Sequence, residues 1–395
     1  MAASMPSRSR ASGSAWSIAG WHDRLLDRRD RLLADVRFQR WATRFWPTRW
    51  IARRRSRALF DLCAGFVYSQ VLLAAVRLRL LERLAASPRG LAELPALLDL
   101  PEPATRRLVA ATHALGLTQP RAAGRIGLGP HGAAMLANPG IAAMIEHHAM
   151  LYADLADPVA LLRGGRSATA LGAYWPYAGS DDPATLPVER TRAYTRLMAA
   201  SQPLVAAEVL DAYPLGGHRR LLDLGGGDGS FVRAVADRHP SLALELFDLP
   251  SVAAQARSAL AAAGLAERVA VHGGDLWRSP LPEGADLVTL VRVVHDHDDD
   301  RVRALLARVH AILPPGGSLL IAEPMAGAPG AEPIGDAYFG FYLLAMGTGR
   351  ARPPETLIAM LRDAGFATAR IVPTRNPLLT GLIHARRAEE SVAYA

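Results

Sequence analysis

From about residue 205 onward, strand-like and helix-like segments alternate, and this pattern leaves few folds open. Strands are predicted at RLLDL, LALELFDL, RVAVHG, ADLVTLVRVV, GSLLIAEP, ATARIVP and GLIHARR, with helical segments between them. Strands that alternate with helices usually pair in parallel, because each crossover helix returns the chain to the same edge of the sheet. The sequence therefore predicts an α/β fold with a mostly parallel, doubly wound sheet.

The preceding region, from Arg57 to about residue 180, is helical with short breaks. Its segment GLAELPALLDLPEPATRRLVAATHALGLTQPRAAGRIGLGPHGAAML predicts a helix, a turn, a second helix and a short hairpin, the layout of a winged helix-turn-helix. A DNA-binding version needs a basic second helix, but PATRRLVAATHALGL offers only Arg106 and Arg107 together. We therefore expect a structural helix-turn-helix and no nucleic-acid partner.

Positive charge is concentrated in an N-terminal arm. The first 60 residues hold fourteen arginines and four aspartates, a net charge of +10, so the other 335 residues sum to −2 within a total of +8. Five of the seven tryptophans lie in the first fifty residues. Trp and Arg together suit the headgroup layer of an anionic membrane. Packing on a partner subunit is the alternative, and binding to a phosphate backbone is a weaker third interpretation.

Two further features bear on the compartment. One cysteine, Cys63, excludes an internal disulfide framework and suits a reducing cytosol, and the first twenty residues contain no apolar core of a secretory signal. The longest apolar stretch, ALFDLCAGFVYSQVLLAAVRLRLL, is interrupted by Asp61, Arg77 and two polar residues. A membrane span needs about 20 nearly uninterrupted apolar residues, so this stretch predicts a buried or dimer-forming helix.

The first predicted strand leads into LLDLGGGDGSF, Leu221 to Phe231, in which Asp223 is followed by glycines at 225, 227 and 229. Glycines let a ligand approach the backbone, and they leave the free N–H groups of the following helix available. A dinucleotide fingerprint would need glycine where Ser230 stands. The spacing D-x-G-x-G-x-G instead matches the loop that receives S-adenosylmethionine, which has no pyrophosphate.

The ends of the next two strands add to this pattern. Asp248, at the end of LFDLP and 25 residues after Asp223, places a carboxylate where it can accept both hydroxyls of a ribose. VHGGDLW places Asp275 and Leu276 after the following strand, suited to an adenine amino group and ring face. The three features in register predict a site for S-adenosylmethionine more strongly than a glycine-rich turn does alone.

The motifs LLDLGGGDGS, LFDLP, HGGDLW, VVHDHDD, LIAEP and LRDAGF, in this order and spacing, resemble those of the S-adenosylmethionine-dependent O-methyltransferases of the plant caffeate and flavonoid type and their bacterial relatives. The resemblance covers roughly residues 58–388. It implies a homodimer in which an α-helical, winged-helix-like dimerisation domain precedes a Rossmann-like methyltransferase sheet. The predicted organisation is a basic aromatic arm at 1–57, a dimerisation domain at 58–180, a methyltransferase domain at 181–388 and a tail at 389–395.

Within that family, the N-terminal half is most similar to the hydroxycarotenoid O-methyltransferases of purple photosynthetic bacteria. This similarity implies a hydrophobic acceptor, an acyclic hydroxycarotenoid methylated on its tertiary 1-hydroxyl. A phenolic or polyketide acceptor is the alternative, and a DNA-binding regulator that uses the cofactor as a ligand is a third hypothesis. We expect a cytoplasmic protein, with peripheral contact to the inner or photosynthetic membrane through the arm as a further interpretation.

The run VRVVHDHDDDR, Val291 to Arg301, follows the fourth strand and emerges at the carboxyl edge of the sheet, where doubly wound folds bind their ligands. A neutral histidine can remove the acceptor's proton if a carboxylate holds its far nitrogen. By the resemblance, His295 is the base, Asp296 is the acid that follows it, and Glu323 in LIAEP flanks it. We expect Glu323 to orient the ring.

The histidines and aspartates of the same run could also indicate a metal site, an interpretation that we disfavour. Six consecutive residues leaving a strand point in divergent directions and cannot all converge on one ion. Asp298, Asp299 and Asp300 precede RVRALLARVHAIL and predict the cap and first turn of a helix. His297 stands where relatives usually carry Trp, and we expect it to be packed or solvent-facing.

The resemblance also indicates residues around the two ligands. Met150 in IEHHAMLYADLADPVALLRGG and Met198 in RLMAASQ match segments that line the acceptor pocket, and Met346 in DAYFGFYLLAMGTGR suits a long apolar polyene. Ordinary core packing is the alternative for all three methionines. Arg292 lies within one position of a basic residue that relatives keep beside the cofactor.

Overall fold

The structure, a computed structural model, describes residues 18–164, 168–175, 177, 183–378 and 380–390. By its internal contacts the chain divides into two compact units, Met1–Leu72 and Leu73–Ala395. The predicted boundaries at 57/58 and 388/389 stay predictions, and the one between 180 and 181 falls outside the described residues.

The first unit consists of helices in its described part: α1 (Ile18–Ala34), α2 (Val36–Arg44) and most of α3 (Arg49–Arg77). The burial predicted for α3 occurs at its C-terminal end, where Leu73, Ala75 and Val76 are buried. Earlier apolar residues such as Leu62 and Phe66 are exposed. Among the described residues, α3 is the one helix long and apolar enough to cross a bilayer, a test that core helices also pass.

The second unit begins with the predicted winged helix-turn-helix. Helices α4 (Leu80–Ala86), α5 (Leu94–Leu98) and α6 (Glu102–Ala114) accompany a small antiparallel sheet in the order β1-β3-β2, with β1 at Arg89–Gly90, β2 at Thr118–Pro120 and β3 at Arg125–Leu128. On α6, Arg106 is paired with Glu102 at 2.7 Å. This acidic partner reduces the net positive charge of the helix, which already offers only two arginines side by side.

The remaining helices and strands carry the chain into the predicted sheet. The helices are α7 (Pro130–Leu136), α8 (Pro139–Asp154), α9 (Pro158–Leu162), α10 (Ala170–Tyr174), α11 (Val188–Ala212), α12 (Ser230–Arg238), α13 (Pro250–Ala262), α14 (Asp299–Ile312), α15 (Phe339–Met346), which a π-helical turn at Pro333–Tyr338 precedes, and α16 (Pro354–Asp363). The strands are β4 (Arg220–Leu224), β5 (Ala243–Asp248), β6 (Val269–Gly273), β7 (Leu287–Val291), β8 (Ser318–Glu323), β9 (Thr368–Val372) and β10 (Gly381–Arg386). All seven predicted strands are present.

These seven strands form one sheet in the order β6-β5-β4-β7-β8-β10-β9. The pairs from β6 to β8 are parallel, and β10 is antiparallel to both of its neighbours. The chain starts at the centre with β4, builds outward to β6, and then returns to place β7 on the other side of β4. This reversal creates a crevice at the carboxyl ends of β4 and β7, the position where such sheets bind ligands.

Both faces of the sheet are buried, as a doubly wound fold requires. On one face Leu222 and Leu290 pack with Leu305 of α14 and Leu361 of α16. On the other face the core contains Leu221 and Leu287 of the strands, Val209 of α11, Phe231 of α12 and Leu260 of α13. Because alternate residues of a strand point to opposite faces, burial on both sides requires continuous apolar runs such as LVTLV.

Candidate functional site

The candidate site lies at the carboxyl ends of β4, β5, β7 and β8. Asp223 in β4 is directly opposite Thr289 in β7, so the glycine-rich loop and the HDHDDD run leave the sheet side by side. The structure therefore brings together the segments that the sequence analysis selected separately.

The glycine-rich loop needs its glycines for conformation and for close packing. Gly225 and Gly227 have φ of +71° and +61°, in the left-handed region that favours glycine. A Cβ atom on Gly225 would lie 2.6 Å from Cγ2 of Val293, so a side chain there would collide with the loop that follows β7. The amide of Gly227 donates to Oδ2 of Asp248 at 2.8 Å, which ties the loop to the end of β5.

Asp223 and Asp248 are the two carboxylates at this end of the sheet. Oδ1 of Asp223 accepts a hydrogen bond from the hydroxyl of Thr289 at 2.6 Å, while Oδ2 is buried and has no partner among the described residues. Burial, opposed by the Thr289 bond and helped by the nearby Asp248, raises the pKa of Asp223 to about 7. An unpaired buried carboxylate oxygen costs free energy and indicates a donor that a ligand supplies.

Both oxygens of the Asp248 carboxylate have hydrogen-bond partners, unlike those of Asp223. Its two oxygens accept from the amides of Gly227 and Leu249 at 2.8 and 2.7 Å. Burial raises its pKa to about 6, and these two bonds limit the rise. Each carboxylate oxygen can accept a second hydrogen bond, so the group retains the capacity to bind a diol.

Of the two residues predicted after β6, one lies in the cavity wall, and their contacts with adenine stay predictions. Leu276 contributes to the cavity wall, but the Oδ1 atom of Asp275 accepts from the amides of Trp277 and Arg278 at 2.7 and 3.2 Å and is not among the cavity-lining groups. Asp275 therefore shapes the turn. The neighbouring Trp277, to which the sequence analysis gave no role, lines the cavity.

A cavity of about 390 Å³ connects these residues. Its wall combines carboxylates, two arginines and aromatic rings: Asp223, Asp228, Asp248, Asp296, Asp298, Arg292, Arg301, Trp175, Tyr177, Tyr194 and Trp277. The five carboxyl groups outnumber the two arginines, and the raised pKa values of Asp223, Asp248 and Asp296 reduce but do not remove their negative charge near pH 7, so the lining suits a ligand with positive charge and hydrogen-bond donors. The unpaired Asp223 oxygen, the Cβ-free loop and the acceptor capacity of Asp248 fit S-adenosylmethionine, whose sulfonium is positive and whose amino group and ribose are donors.

The turn after β7 holds His295 and is fastened by Glu323 at the end of β8. One oxygen of Glu323, Oε1, accepts from the amides of Val293 and Val294 at 2.8 and 2.6 Å, and the other contacts Nδ1 of His295. Glu323, His295 and the two valines are all buried. A carboxylate only accepts hydrogen bonds, so Nδ1 carries the ring proton and Nε2 presents its lone pair. The geometry thus supports the expected orienting role of Glu323.

The Nε2 atom of His295 lies 3.1 Å from Oδ1 of Asp296. Burial lowers the pKa of His295, but the charges of Asp296 and Glu323 outweigh burial and raise it above its usual value. Burial also raises the pKa of Asp296 to about 7, opposed by His295 and helped by Glu323. The two carboxylates thus favour the protonated imidazole, whereas burial favours the protonated form of Asp296. Asp296 lines the cavity, whereas His295 contacts it through Asp296.

The other members of the HDHDDD run diverge, as predicted. His297 packs edge-on against Trp277, with ring centroids 4.5 Å apart, and burial lowers its pKa to about 3. Asp298 is the N-cap residue of α14, although its side chain makes no capping bond. Asp299 pairs with Arg350 and Arg352. Among the described residues, no group of three or more His, Cys, Asp or Glu side chains is placed to hold a metal ion.

Arg292 and Met198, predicted for different ligands, are in contact. Arg292 has φ of +61°, which is uncommon for a non-glycine residue, and its guanidinium donates to Ser201 Oγ at 2.8 Å and to Met198 Sδ at 3.0 Å. Arg292 and Met198 both line the cavity. The side chain of Arg292 therefore connects the end of β7 to helix α11.

The other two methionines are not in the cavity wall. Met346 is buried in a core cluster with Leu151, Leu171 and Tyr342, which is the packing alternative. Met150 is half-buried on α8 and does not line the cavity.

On helix α8, the side chains of His147 and His148 point inward. Their Nε2 atoms form hydrogen bonds with the hydroxyl groups of Tyr342 and Tyr338 at 2.9 and 2.7 Å. Helical periodicity does not distinguish core from cavity, so the acceptor-side roles of Met150 and Met346 stay predictions.

Sequence reasoning also missed the arginine that holds the turn around His295. Arg352 is buried, and it donates to the carbonyl oxygens of Val294 and His297 at 3.0 and 2.6 Å and to Asp299 at 2.9 Å. It therefore brackets His295 and Asp296 on both sides. No local pattern marks this residue, because the two carbonyls are 58 and 55 positions away in the chain.

The aromatic wall comes from the segment before α11 and from α11 itself. Trp175 and Tyr194 meet with ring centroids 4.0 Å apart, and Tyr177 lies 5.8 Å from Tyr194. Burial is the main cause that raises the pKa of Tyr194 well above its usual value, so the phenol stays protonated. These rings form an apolar side of the cavity that the methionine predictions did not identify.

Comparison with known proteins agrees with this geometry. The model of the O-methyltransferase domain family matches residues 152–367. The chain is 44% identical over 361 residues to the demethylspheroidene O-methyltransferase of Cereibacter sphaeroides, covering 91% of this chain and 95% of the relative. It is 43% identical over 340 residues to the enzyme of that name from Rhodobacter capsulatus, covering 85% and 84%. The structure of the mitomycin 7-O-methyltransferase superimposes with a TM-score of 0.69 at 25% identity, over 85% of this chain and 98% of that one.

Proposed function

Because this chain belongs to the S-adenosylmethionine-dependent O-methyltransferases, we propose that it methylates the tertiary 1-hydroxyl of an acyclic hydroxycarotenoid in carotenoid biosynthesis. The choice of a carotenoid acceptor rests on one observation. Two relatives that are at least 43% identical over 85% or more of this chain are demethylspheroidene O-methyltransferases.

Binding of the cofactor is assigned to the ends of β4, β5 and β6. Asp248 would accept the ribose hydroxyls, the unpaired oxygen of Asp223 would accept a donor of the methionine part, and Leu276 would contact the adenine face. When bound, S-adenosylmethionine supplies a methyl group that the sulfonium charge has already activated. The protein must therefore align the acceptor oxygen, exclude water and remove a proton.

Proton removal is assigned to His295. Glu323 keeps the proton on Nδ1, so Nε2 is the basic atom, and this nitrogen exchanges Asp296 for the acceptor hydroxyl. A tertiary alcohol is a far weaker acid than a histidinium, so full deprotonation before attack would be too costly. The proton would pass to Nε2 as the methyl carbon leaves the sulfonium sulfur, which keeps the bonding electron pair as a neutral thioether, and bonds to the acceptor oxygen; Glu323 would stabilise the imidazolium that results.

An assay with labelled S-adenosylmethionine tests the reaction and the acceptor together. The purified protein is offered a 1-hydroxycarotenoid in liposomes beside a panel of phenols, and the label is followed into organic extracts. Label in the carotenoid is the expected result. Label only in phenols, which the ring wall of Trp175, Tyr177 and Tyr194 would suit, would retain the methyltransferase and reject the carotenoid acceptor. Label in neither would reject both acceptor classes.

We also assign the exposed side of α3 to a second copy of the chain. Leu59, Leu62 and Phe66 lie at helical spacing on one side and are 64%, 81% and 72% exposed. Such a stripe has no charged residue of its own and suits isologous packing. Light scattering after size exclusion should give a dimer for the unchanged chain and a monomer for Leu62→Arg/Phe66→Arg. A monomeric unchanged chain would rule the assignment out.

A further inference from the structure

The described part of the first unit carries an aromatic stripe beside a basic stripe. On α2, Phe38 and Trp41 are followed by Phe45, the residue that ends the helix, and their rings are in contact: Trp41 stacks on Phe45 at 4.8 Å and lies 5.7 Å from Phe38. Because these positions are i, i+3 and i+7, they share one side of the helix. Trp41 remains 50% exposed.

Arg37, Arg40 and Arg44 each precede one of these aromatic residues by a single position. One residue corresponds to about 100° of rotation, so the arginines form a second stripe that adjoins the aromatic one. All three are exposed, and among the described residues none of them forms an ion pair. Positive charges without acidic partners are available to an anionic surface.

The segment that follows α2 continues both properties. Trp46 and Trp50 are 78% and 62% exposed, and the first turns of α3 present Arg49 and Arg53. The helix itself is fixed at its start, because Asp35 accepts hydrogen bonds from the amides of Arg37 and Phe38. We call residues 36–53 the basic aromatic surface.

We propose that the basic aromatic surface docks this protein on an anionic lipid bilayer. The tryptophan and phenylalanine rings enter the interfacial layer, and the adjoining arginines meet lipid phosphates. Charge complementarity selects this partner over a second copy of the chain, because two such surfaces facing each other would bring five unpaired arginines from each side together. The apolar stripe of α3 described above lies beyond residue 53 and is not part of this surface.

The consequence for catalysis rests on the proposed function. A hydroxycarotenoid dissolves in bilayer hydrocarbon, so an enzyme held at the interface has its acceptor nearby at high local concentration. Docking itself needs neither substrate. Vesicle binding therefore tests the inference independently of methyl transfer, and its failure leaves the assignment of the reaction untouched.

The test is flotation of the full chain with vesicles of phosphatidylcholine alone and of phosphatidylcholine with one-third phosphatidylglycerol. The unchanged protein should float with the anionic vesicles, and salt should weaken the association. The variant Arg37→Gln/Arg40→Gln/Arg44→Gln should lower the partition coefficient roughly 100-fold, because each arginine near an anionic surface contributes about a factor of five. Trp41→Ala/Trp46→Ala/Trp50→Ala should also lose binding.

A matched control variant removes three positive charges from the second unit. Arg107→Gln/Arg303→Gln/Arg362→Gln changes three exposed arginines of the second unit and should leave partitioning within about two-fold of the unchanged chain. Circular dichroism checks that each variant folds. Equal binding by the Arg37/Arg40/Arg44 variant and the unchanged chain would overturn the proposal.

Light scattering tests the alternative that a second copy of the chain, instead of a bilayer, covers the basic aromatic surface. If the tryptophan variant becomes monomeric while its binding to anionic vesicles is unchanged, the surface packs on a second copy and the proposal is wrong. Unchanged mass together with lost flotation is the expected result.

Discussion

Glu323 determines which nitrogen of His295 is basic. Its Oε1 is fully used by two backbone amides, so only Oε2 faces the ring, and a carboxylate there fixes the proton on Nδ1. The position of His295 follows from the sequence because it directly follows a buried strand. Its pairing with Glu323 also follows, since β7 and β8 are neighbours and both end at the same edge.

Replacing Glu323 by Gln should therefore invert the tautomer. The amide nitrogen would donate to Nδ1, the ring proton would move to Nε2, and the basic lone pair would be lost. We expect the turnover number to fall by about 10²–10⁴, as for His295→Ala, while affinity for S-adenosylmethionine stays within a few-fold. Single-turnover kinetics and isothermal titration measure the two quantities. The control is Asp300→Asn, a fully exposed carboxylate of the same run, which should leave both unchanged.

The His295–Asp296 pair predicts a specific pH dependence. In the proposed mechanism His295 must be neutral to accept the proton, so turnover should fall as pH drops through the pKa of His295. Burial lowers that pKa, but the charges of Asp296 and Glu323 outweigh burial and raise it above its usual value. Asp296→Asn removes one of the two charges that stabilise the imidazolium. The acid limb of the turnover profile should therefore move to lower pH. A limb that moves to higher pH, or stays in place, would show that another group titrates there.

At the scale of elements, the features that could be predicted from the sequence are those that a local pattern of residues determines. The strands are recognisable because burial on both faces demands apolar runs, and LVTLV in β7 is buried at every position. The antiparallel direction of β10 and its place between β8 and β9 depend on pairing across the chain, which no local pattern encodes. The cavity's ring wall was missed because Trp175 follows the short helix α10, outside any periodic pattern, and Tyr194 lies in α11, where helical periodicity fits core and cavity equally.

Arg352 shows how a distant element fixes the catalytic turn. It joins the start of α16 to the carbonyls on either side of His295 and Asp296. Arg352→Gln cannot reach both carbonyls, and we expect turnover to fall roughly 10–100-fold, because small displacements of a base are costly. Unfolding free energy should fall by about 1–3 kcal/mol. Affinity for S-adenosylmethionine should not change.

The matched control for this variant is Arg350→Gln. Arg350 also pairs with Asp299 but is more than half exposed, so its loss should cost less than about 1 kcal/mol and leave turnover intact. If Arg352→Gln lowered stability and cofactor affinity together without a larger effect on turnover, Arg352 would have a structural role alone.

At the scale of the whole molecule, the cofactor site is kept at a cost in stability. Burial raises the pKa of Asp223 to about 7 and of Asp248 to about 6, so folding at neutral pH holds carboxylates in an environment that disfavours their charge. A carboxylate whose folded pKa lies above its unfolded value costs stability as pH rises from the unfolded pKa through the folded pKa, and the full cost applies above the folded value. Such a cost is retained where a ligand uses the group.

Asp248→Asn should therefore separate stability from binding. Without ligand, its melting temperature at pH 7.5 should fall, because an asparagine has one acceptor oxygen and can bond only one of the two backbone amides that the Asp248 oxygens now hold, which outweighs the loss of the buried charge. At 100 times its dissociation constant, S-adenosylmethionine adds about 2.7 kcal/mol to the unchanged chain, which raises the melting temperature by about 4 °C for a unit of this size. The variant should lose most of that rise at the same ligand concentration, while Asp237→Asn, on the exposed side of α12, should keep it. A variant that melts lower and yet retains the full ligand shift would mean that Asp248 supports the loop through Gly227 and takes no part in holding the ribose.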